Sequence, residues 1–156
     1  MKITVISLGE IKNKETQTLE SEYIKRLGPY FKTNILEIPT RKLSSLSEGE
    51  RKKKEAEFLL GKIKKEDYLI LLDENGNCHN TAKFASILKK HMLESTKHIV
   101  FAIGGVYGWD AEVKKKANAV LSLSPLTFTY EFARLILVEQ IYRSATIING
   151  IPYHKD

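Results

Sequence analysis

The last third of the chain carries the residue types best suited to chemistry. Arg143, Tyr153 and His154 place a cation, an aromatic ring and an imidazole near the end of a predicted helix. A cation beside an aromatic ring suits a pocket for a phosphate and a stacked base, and an imidazole titrates near neutral pH. The alternative is an unstructured tail, as many chain termini are.

Three other segments turn polar or glycine-rich directly after an apolar run. The runs 67–73, 98–103 and 120–124 are followed by the sequences ENG, GGVYG and PLTF. If the runs are parallel strands, their carboxyl ends share the edge of the sheet at which open α/β sheets bind ligands. The pair Gly104-Gly105 would let a ligand approach the backbone closely, or would only permit a tight turn.

Several common catalytic and nucleotide-binding motifs are absent from the sequence. No GxGxxG follows the first predicted strand, and there is no GxxxxGK[ST] loop. Ser122 and Ser124 lie outside any GxSxG elbow and the histidines are scattered, so a hydrolytic triad has little support. Asp73 and Glu74 could do acid–base work, although a solvated turn explains them as simply. No Cys and His set has metal-ligand spacing, so no metal is expected.

Strand-like and helix-like patterns alternate along almost the whole chain. Strands are predicted at residues 2–8, 33–38, 67–73, 98–103 and 120–124, with a turn at 74–77. Helices are predicted at residues 15–27, 81–92, 110–118 and 129–149. A further helix is predicted to start after the capping box formed by Ser47 and Glu50. This alternation predicts an α/β fold with a mostly parallel sheet and helices on both faces. We expect one domain over residues 1–156.

The predicted helix at residues 129–149 is apolar nearly all round. One face carries Leu135, Val138, Tyr142, Ala145 and Ile148, and another carries Phe132, Ile136 and Ile147. Such a helix must be buried against more than its own sheet, and a second copy of the chain is the simplest other surface. Glu139, Gln140 and Arg143 then lie on or near a buried surface, where they need partners.

Composition limits the class of protein and of partner. The chain has 156 residues and a formal charge of +6. This charge suits binding to nucleic acid, but a soluble protein with a basic surface would explain it equally well. The basic runs 51–54 and 114–116 are open to the same two interpretations. The lone Cys78 excludes an internal disulfide and fits a reducing cytoplasm. No apolar run approaches the length of a membrane span, and the N-terminus predicts a strand instead of a signal peptide.

The C-terminal half closely resembles a known family. The matching segments are IGGVYGW at residues 103–109, LSLSPLT at 121–127 and RLILVEQIYRSATIINGIPYHK at 134–155. Together they resemble the RlmH family of SPOUT methyltransferases, which methylate N3 of a pseudouridine in 23S rRNA of the large ribosomal subunit. The opening MKITVISLGE and the strand LILLDENG match as well, so the resemblance covers the full length.

The resemblance implies a fold, an assembly and a cofactor. The fold would be an α/β knot, in which the C-terminal chain forms a trefoil, one of the few exceptions to the rule against knots. The protein would be a homodimer that binds S-adenosyl-L-methionine in the knot. The positions that match the family's cofactor contacts are Leu72, Gly104, Leu123, Ser124, Pro125, Leu126, Thr127 and Phe128.

The resemblance also assigns roles on the RNA side. Arg143, Tyr153 and His154 would contact the ribosomal RNA, and they could reach the cofactor of the partner subunit. The N3–H of pseudouridine must lose its proton, and His154 is the candidate base, with water as the alternative. Arg143 would hold phosphate or offset negative charge on the uracil carbonyls.

One dipeptide departs from the family pattern. The family usually has Pro-His where this chain has Thr129-Tyr130. If the family's histidine aids catalysis, this enzyme must either work without it or use Tyr130 or His154 in its place. If the histidine only packs, Tyr130 can replace it directly. Two other functions are therefore considered: a SPOUT enzyme for another rRNA site or for tRNA, and an RNA- or ribosome-binding module that has lost catalysis.

Overall fold

The computed structural model describes residues 1–155, and within them five strands form one sheet. The strands are β1 (Lys2–Leu8), β2 (Lys32–Ile38), β3 (Tyr68–Cys78), β4 (His98–Ile103) and β5 (Ala119–Ser122). They lie in the order β2-β1-β4-β3-β5, and each neighbouring pair is parallel. The predicted parallel sheet is confirmed.

Helices cover both faces of this sheet, as the sequence predicts. They are α1 (Lys14–Leu27), α2 (Glu48–Leu60), α3 (Thr81–Leu93), α4 (Ala111–Lys116) and α5 (Tyr130–Ile148). Helices α1, α3 and α5 pack on one face, where Leu27, Leu88 and Val138 are fully buried. Helices α2 and α4 pack on the other face around the fully buried Leu59 and Val113.

Side-chain caps set the starts of the helices. The Ser47 hydroxyl accepts a hydrogen bond from the Glu50 N–H, and the Ser47 N–H donates to the Glu50 carboxylate at 3.0 Å. This is the predicted capping box, which satisfies two backbone groups that have no partner within the helix. The Thr129 hydroxyl caps α5 in the same way, by accepting from the Phe132 N–H.

The predicted turn at residues 74–77 is wrong, because β3 continues to Cys78. Leu121 of β5 pairs first with Leu72 and again with Asn77, so the intervening residues bulge out of the ladder. Gly76 makes this close approach possible, since a Cβ there would lie 2.8 Å from the Leu121 carbonyl carbon. The end of β5 also differs from the prediction. It stops at Ser122, whose hydroxyl donates to the Ser124 carbonyl at 2.8 Å and bends the chain away.

Helix α5 runs antiparallel to the strands through the core. Its first residue, Tyr130, bonds to Glu10 just beyond the carboxyl end of β1, whereas Tyr142 packs near Tyr30, which precedes β2. The sequence predicted two apolar faces on α5. The structure buries Leu137 and Ile141 completely as well, because α1 and α3 contact α5 from both sides. No helix within residues 1–155 has the length and apolar character needed to cross a bilayer.

Arg134 is a buried cation that ties α5 to α1 and β2. Its guanidinium is only 2% exposed and donates two hydrogen bonds to Glu20, at 2.5 and 3.0 Å, and one to Glu37 at 2.7 Å. The sequence placed Arg134 on the helix without identifying these partners. Two carboxylates converge on one guanidinium, so the group holds three elements in register at the edge of the core.

Replacing Arg134 with methionine is expected to lower the free energy of unfolding by about 3–5 kcal/mol at pH 7, because Glu20 is left as an uncompensated buried charge. Urea denaturation measures this loss. Burial raises the pKa of Glu20 despite the opposing charge of Arg134. In the variant the pKa of Glu20 should rise further, because the opposing charge is gone. The loss of unfolding free energy should therefore shrink as the pH falls and Glu20 is protonated. A loss below about 1 kcal/mol at pH 7 would show that the ion pair is not structural.

Candidate active site

The strand register brings three of the predicted site segments to one edge of the sheet. Leu72 of β3 pairs with Ile103 of β4 on one side and with Leu121 of β5 on the other. The chain therefore leaves these three strands at neighbouring positions, into the bulge of β3, into Gly104 and into the segment that follows β5. The structure thus brings Leu72, Gly104 and the start of residues 123–128 together, as the sequence predicts.

The buried Trp109 packs against this edge of the sheet, although the sequence analysis did not select it as a site residue. Its indole Nε1–H donates to the Leu72 carbonyl at 2.8 Å, and the ring is only 5% exposed. Gly104 lies against the same ring, so that a Cβ at residue 104 would be 3.2 Å from Trp109 Cε2. The last letter of the IGGVYGW motif was the available signal. The indole fixes the β3 and β4 ends relative to each other.

A buried carboxylate lies beneath the second glycine of the motif. Glu55 of α2 is 2% exposed, and a Cβ on Gly105 would lie 2.6 Å from both of its oxygens. Its Oε1 accepts from Arg51 Nε at 2.8 Å, and the Arg51 guanidinium lies 5.6 Å from the Tyr107 ring centroid. Gly105 therefore needs to lack a side chain so that the loop can rest on α2. Arg51, the first cation of the run 51–54, is therefore bonded to the carboxylate that supports this loop.

The segment 123–128 crosses the carboxyl edge of the sheet. It leaves the edge strand β5 and leads to α5, which begins next to β1, so it passes the ends of β3 and β4. That distance is about three strand spacings, or roughly 14 Å. Pro125, Leu126, Thr127 and Phe128 are exposed along it. Thr127 donates to the Glu74 carboxylate at 2.5 Å, which ties the segment to the bulge of β3.

Asp73 and Glu74 have structural partners at this edge. Asp73 pairs with Lys114 at 2.8 Å, and its pKa lies below its usual range: burial raises it, but the bonds from Lys114 and Asn75 lower it by more. An ionised carboxylate has no proton to donate, and this one is held by a cation. The acid–base interpretation of Asp73 is therefore not supported by its surroundings.

The three residues proposed for RNA recognition form a second group. The Arg143 guanidinium lies 4.7 Å from the centroid of the Tyr153 ring, within the range of a cation–π contact. Its Nη1 donates to His154 Nδ1 at 3.4 Å. The tail is therefore folded back onto α5 through residue 154, and the alternative of an unstructured tail is wrong for these residues.

Glu139 holds this second group in place. One of its carboxylate oxygens accepts from Arg143 at 2.5 and 3.0 Å and from the Tyr153 hydroxyl at 3.0 Å. Burial raises the pKa of the Tyr153 phenol, as do its hydrogen bonds to Tyr23 and Glu139, so Tyr153 stays a neutral donor near pH 7. Sequence reasoning expected Glu139 to need a partner but gave it no role in the site. It is the residue that orients both Arg143 and Tyr153.

Within one protomer, the cofactor candidates and the Arg143 group lie near opposite ends of α5. Helix α5 starts beside the carboxyl end of β1, and Arg143 follows Tyr130 by about 20 Å along the helix axis at 1.5 Å per residue. The structure therefore brings together the cofactor candidates, and separately Arg143, Tyr153 and His154, but it does not bring the two sets together within one protomer.

The whole chain matches one family of known proteins. Residues 1–154 match the family model described as "Predicted SPOUT methyltransferase". The chain belongs to the SPOUT methyltransferase family. The resemblance found in the motifs is confirmed, and this membership implies the trefoil knot.

Relatives of this SPOUT chain share its full length. A protein of Flavobacterium johnsoniae named ribosomal RNA large subunit methyltransferase H is 43% identical over 155 residues, which cover 99% of each chain. Proteins of the same name from Acetivibrio thermocellus and Bacteroides thetaiotaomicron are 41% and 38% identical. These alignments cover 99% and 100% of this chain and the whole of each relative.

Tyr130, at the position where the resemblance implies a histidine, has a packing role in this SPOUT chain. Its hydroxyl donates to the Glu10 carbonyl at 2.9 Å, and a Cβ on Gly9 would lie 3.0 Å from the Tyr130 ring. Burial and the neighbouring Glu131 carboxylate raise the pKa of the phenol. A phenol that stays protonated and bonds to backbone acts as a brace between β1 and α5.

Replacing Tyr130 with phenylalanine tests that role. We expect a loss of about 1 kcal/mol in the free energy of unfolding, because one hydrogen bond is removed and the ring is kept. Methyl transfer should change by less than about threefold at saturating substrate, because the hydroxyl bonds to backbone. Urea denaturation and steady-state rates measure the two quantities. A rate loss above about 100-fold with unchanged stability would instead make the hydroxyl a catalytic group.

The described part of the chain offers no ligand set for a metal ion. Within residues 1–155 no three His, Cys, Asp or Glu side chains gather at one place, and Cys78 is exposed. The carboxyl edge instead carries the half-buried Gly104 and Gly105 and the apolar side chains of Leu126 and Phe128, which are 70% and 37% exposed. Such a surface fits an organic cofactor held by backbone groups and apolar contacts.

Proposed function

We propose that this chain is an S-adenosyl-L-methionine-dependent enzyme that methylates N3 of a pseudouridine in 23S rRNA. The observation that carries the proposal is the identity of about 40%, along the whole chain, to proteins named ribosomal RNA large subunit methyltransferase H. The cytoplasm, where ribosomes are modified, is the proposed location. The arrangement of the carboxyl edge and of the Arg143 group supports the same function.

S-adenosyl-L-methionine would bind at the carboxyl edge and supply an electrophilic methyl group. Leu72 and Gly104 would approach it from the ends of β3 and β4, and residues 123–128 would lie across it. The missing side chain at Gly104 leaves room for the Trp109 indole, which bonds to the Leu72 carbonyl and fixes the backbone that would face the cofactor. The segment 123–128 contains an internal turn, in which Ser124 Oγ accepts from the Leu126 N–H at 3.0 Å, and Thr127 ties the segment to Glu74.

A homodimer would bring the two separated groups together. Arg143 lies about 20 Å along α5 from the edge of its own chain, which is too far for it to act there. The outer surface of α5 presents Phe132, which is 59% exposed, and the half-buried Ile136 and Ile147. An isologous contact along this surface would bury these side chains and place the Arg143 group of one copy beside the cofactor of the other.

The contact of His154 with Arg143 is compatible with the proposed role of His154 as a base. Arg143 can only donate, so the Nδ1 atom it contacts is the acceptor nitrogen of the imidazole. That nitrogen is the one able to take the N3 proton of the pseudouridine. The guanidinium must first turn away, and it would then face the uracil carbonyls, where negative charge develops as the proton leaves. Tyr153, held by Glu139, offers a ring for stacking the base.

Methyl transfer from labelled S-adenosyl-L-methionine to ribosomes from cells lacking this protein tests the proposal. Label at a pseudouridine of the large subunit is the expected result, and base-resolved mapping identifies the nucleotide. The small size of the chain suggests that the assembled ribosome or large subunit presents the substrate, so free 23S rRNA should be a poorer acceptor.

Other outcomes separate the alternatives. Bound cofactor without label on ribosomes would overturn the rRNA target, and tRNA would be tested next. Neither label nor cofactor binding would favour an RNA-binding module without catalysis. The Thr129-Tyr130 dipeptide is the only sequence support for that module, and the hydrogen bond of Tyr130 to the Glu10 carbonyl favours a packing role at this position instead.

A further inference from the structure

A large groove lies around the edge strand β2 toward the amino ends of the strands, with lining residues from the sheet face of α2 and from α1 on the other face. Its volume is about 1140 Å³, and Thr4, Ile6, Val100 and His98 of β1 and β4 form its floor. One wall is the edge strand β2 with part of α1, and the other is the segment after α2. The groove is at the opposite end of the sheet from the proposed cofactor edge, so the proposed methyl transfer does not use it.

Lysines line this groove without carboxylate partners. They are Lys2, Lys25, Lys62, Lys64 and Lys97, and we call them the groove lysines. None of the ion pairs among residues 1–155 involves any of them. Four of the five are exposed, and Lys2 is half-buried. Their charges are therefore available to a partner from outside.

The basic runs that stand out in the sequence behave differently. In the run 51–54, Lys52 pairs with Glu48 at 3.7 Å and Lys54 with Glu57 at 2.7 Å. In the run 114–116, Lys114 and Lys115 are likewise paired, with Asp73 and Glu112. Most of the charge in these runs is thus offset within the chain. The groove lysines, by contrast, have no ion pair within residues 1–155, and no run in the sequence marks them.

The three carboxylates in the groove are fewer than its five lysines, so a positive charge remains. Glu20 is held by Arg134, and Asp67 accepts from His98 Nδ1 at 2.7 Å and from the Lys64 N–H at 2.9 Å. Only Glu66 lines the groove as an exposed acid without an ion pair among residues 1–155. Thr4 Oγ1 and His98 Nε2 share a hydrogen bond at 2.8 Å, so the floor is a bonded, fixed surface.

The groove adjoins the residues proposed to bind RNA. Lys25 lines it, and the next residue, Arg26, lies 5.6 Å from the Tyr23 ring centroid and 6.0 Å from that of Tyr142. Tyr142 in turn packs edge-on against Tyr153, with centroids 4.9 Å apart. One strip of cations and aromatic rings therefore leads from the Arg143 group around α1 to the groove lysines.

We propose that this groove binds the phosphate backbone of the RNA that flanks the target nucleotide. Lysines act on phosphate as point charges without reading the base, which suits a site that positions a strand. The inference rests on the proposed function and adds a binding surface to it. Residues at the base, such as Arg143, would select the nucleotide, and the groove lysines would set affinity and its dependence on salt.

Removal of two groove charges tests the proposal. The variant Lys62→Gln with Lys64→Gln is compared with Lys83→Gln with Lys89→Gln, two exposed α3 lysines on the opposite sheet face that lack ion pairs within residues 1–155. Binding to isolated large subunits and to a 23S rRNA fragment carrying the target is measured between ~50 and ~200 mM salt. The groove variant should bind about tenfold more weakly at the lower salt, and its log–log salt slope should be shallower by about 1.4.

The controls separate this inference from the proposed function. Affinity for S-adenosyl-L-methionine and the oligomeric state should be unchanged in both variants. Equal RNA affinity and salt slope in the groove and control variants would overturn the inference while leaving the methyltransferase proposal intact. Binding of polyglutamate that is lost with the groove lysines, with RNA binding unchanged, would also overturn it. A wild-type protein that neither binds nor methylates RNA would overturn both.

Discussion

Replacing Gly104 with valine is expected to abolish binding of S-adenosyl-L-methionine, with the Kd rising by at least about 100-fold. A single Cβ would already lie 3.2 Å from the Trp109 ring, and the two further methyl groups of valine must press on that ring or project into the cofactor edge. Movement of Trp109 would also break its bond to the Leu72 carbonyl. The substitution therefore disturbs the ends of β3 and β4 together.

Isothermal titration of purified protein with the cofactor measures this effect. Gly49→Val is the matched control, because a Cβ at Gly49 of α2 meets no atom within 4 Å. The control should keep its affinity within about twofold, and thermal unfolding should show that both variants are folded. Unchanged affinity in a folded Gly104→Val protein would place the cofactor elsewhere and remove the basis of the proposed site.

Mixing two inactive variants is expected to restore methyl transfer. Gly104→Val damages the cofactor edge and Arg143→Ala damages the RNA group, so each homodimer should lose at least about 100-fold in methyl transfer. If every active site uses the edge of one copy and Arg143 of the other, a mixed dimer contains one intact site. Random reassociation of equal amounts should then recover about a quarter of the wild-type rate.

The physical basis is the length of α5. Arg143 and the edge of the same chain lie at opposite ends of that helix, and no rotation of side chains spans about 20 Å. The mixture is unfolded and refolded together so that subunits exchange, and each variant treated alone is the control. Recovery no greater than the sum of the separate variants would show that each site is built within one copy. Sedimentation as a monomer at micromolar concentration would exclude the dimer itself.

The sequence determined much of the fold because its signals are local. The apolar runs 67–73 and 98–103 predicted buried strands, and Ser47 with Glu50 predicted a helix start, since propensity and capping act within a few residues. The family motifs predicted which residues belong to the cofactor edge. The assignment failed at residues 74–77, where composition indicated a turn. A contact with Leu121, far along the chain, keeps that segment in the strand instead.

Tertiary structure alone decided which charged groups remain available. The runs 51–54 and 114–116 stand out in the sequence, yet most of their cations pair with carboxylates that share their helix or lie across the sheet edge. The groove lysines come from four separate segments and line one groove only in the folded chain. The roles of Trp109 and Glu139 likewise depend on partners brought in by the fold. Charge and hydrogen bonding act through space, so spacing in the sequence could not predict them.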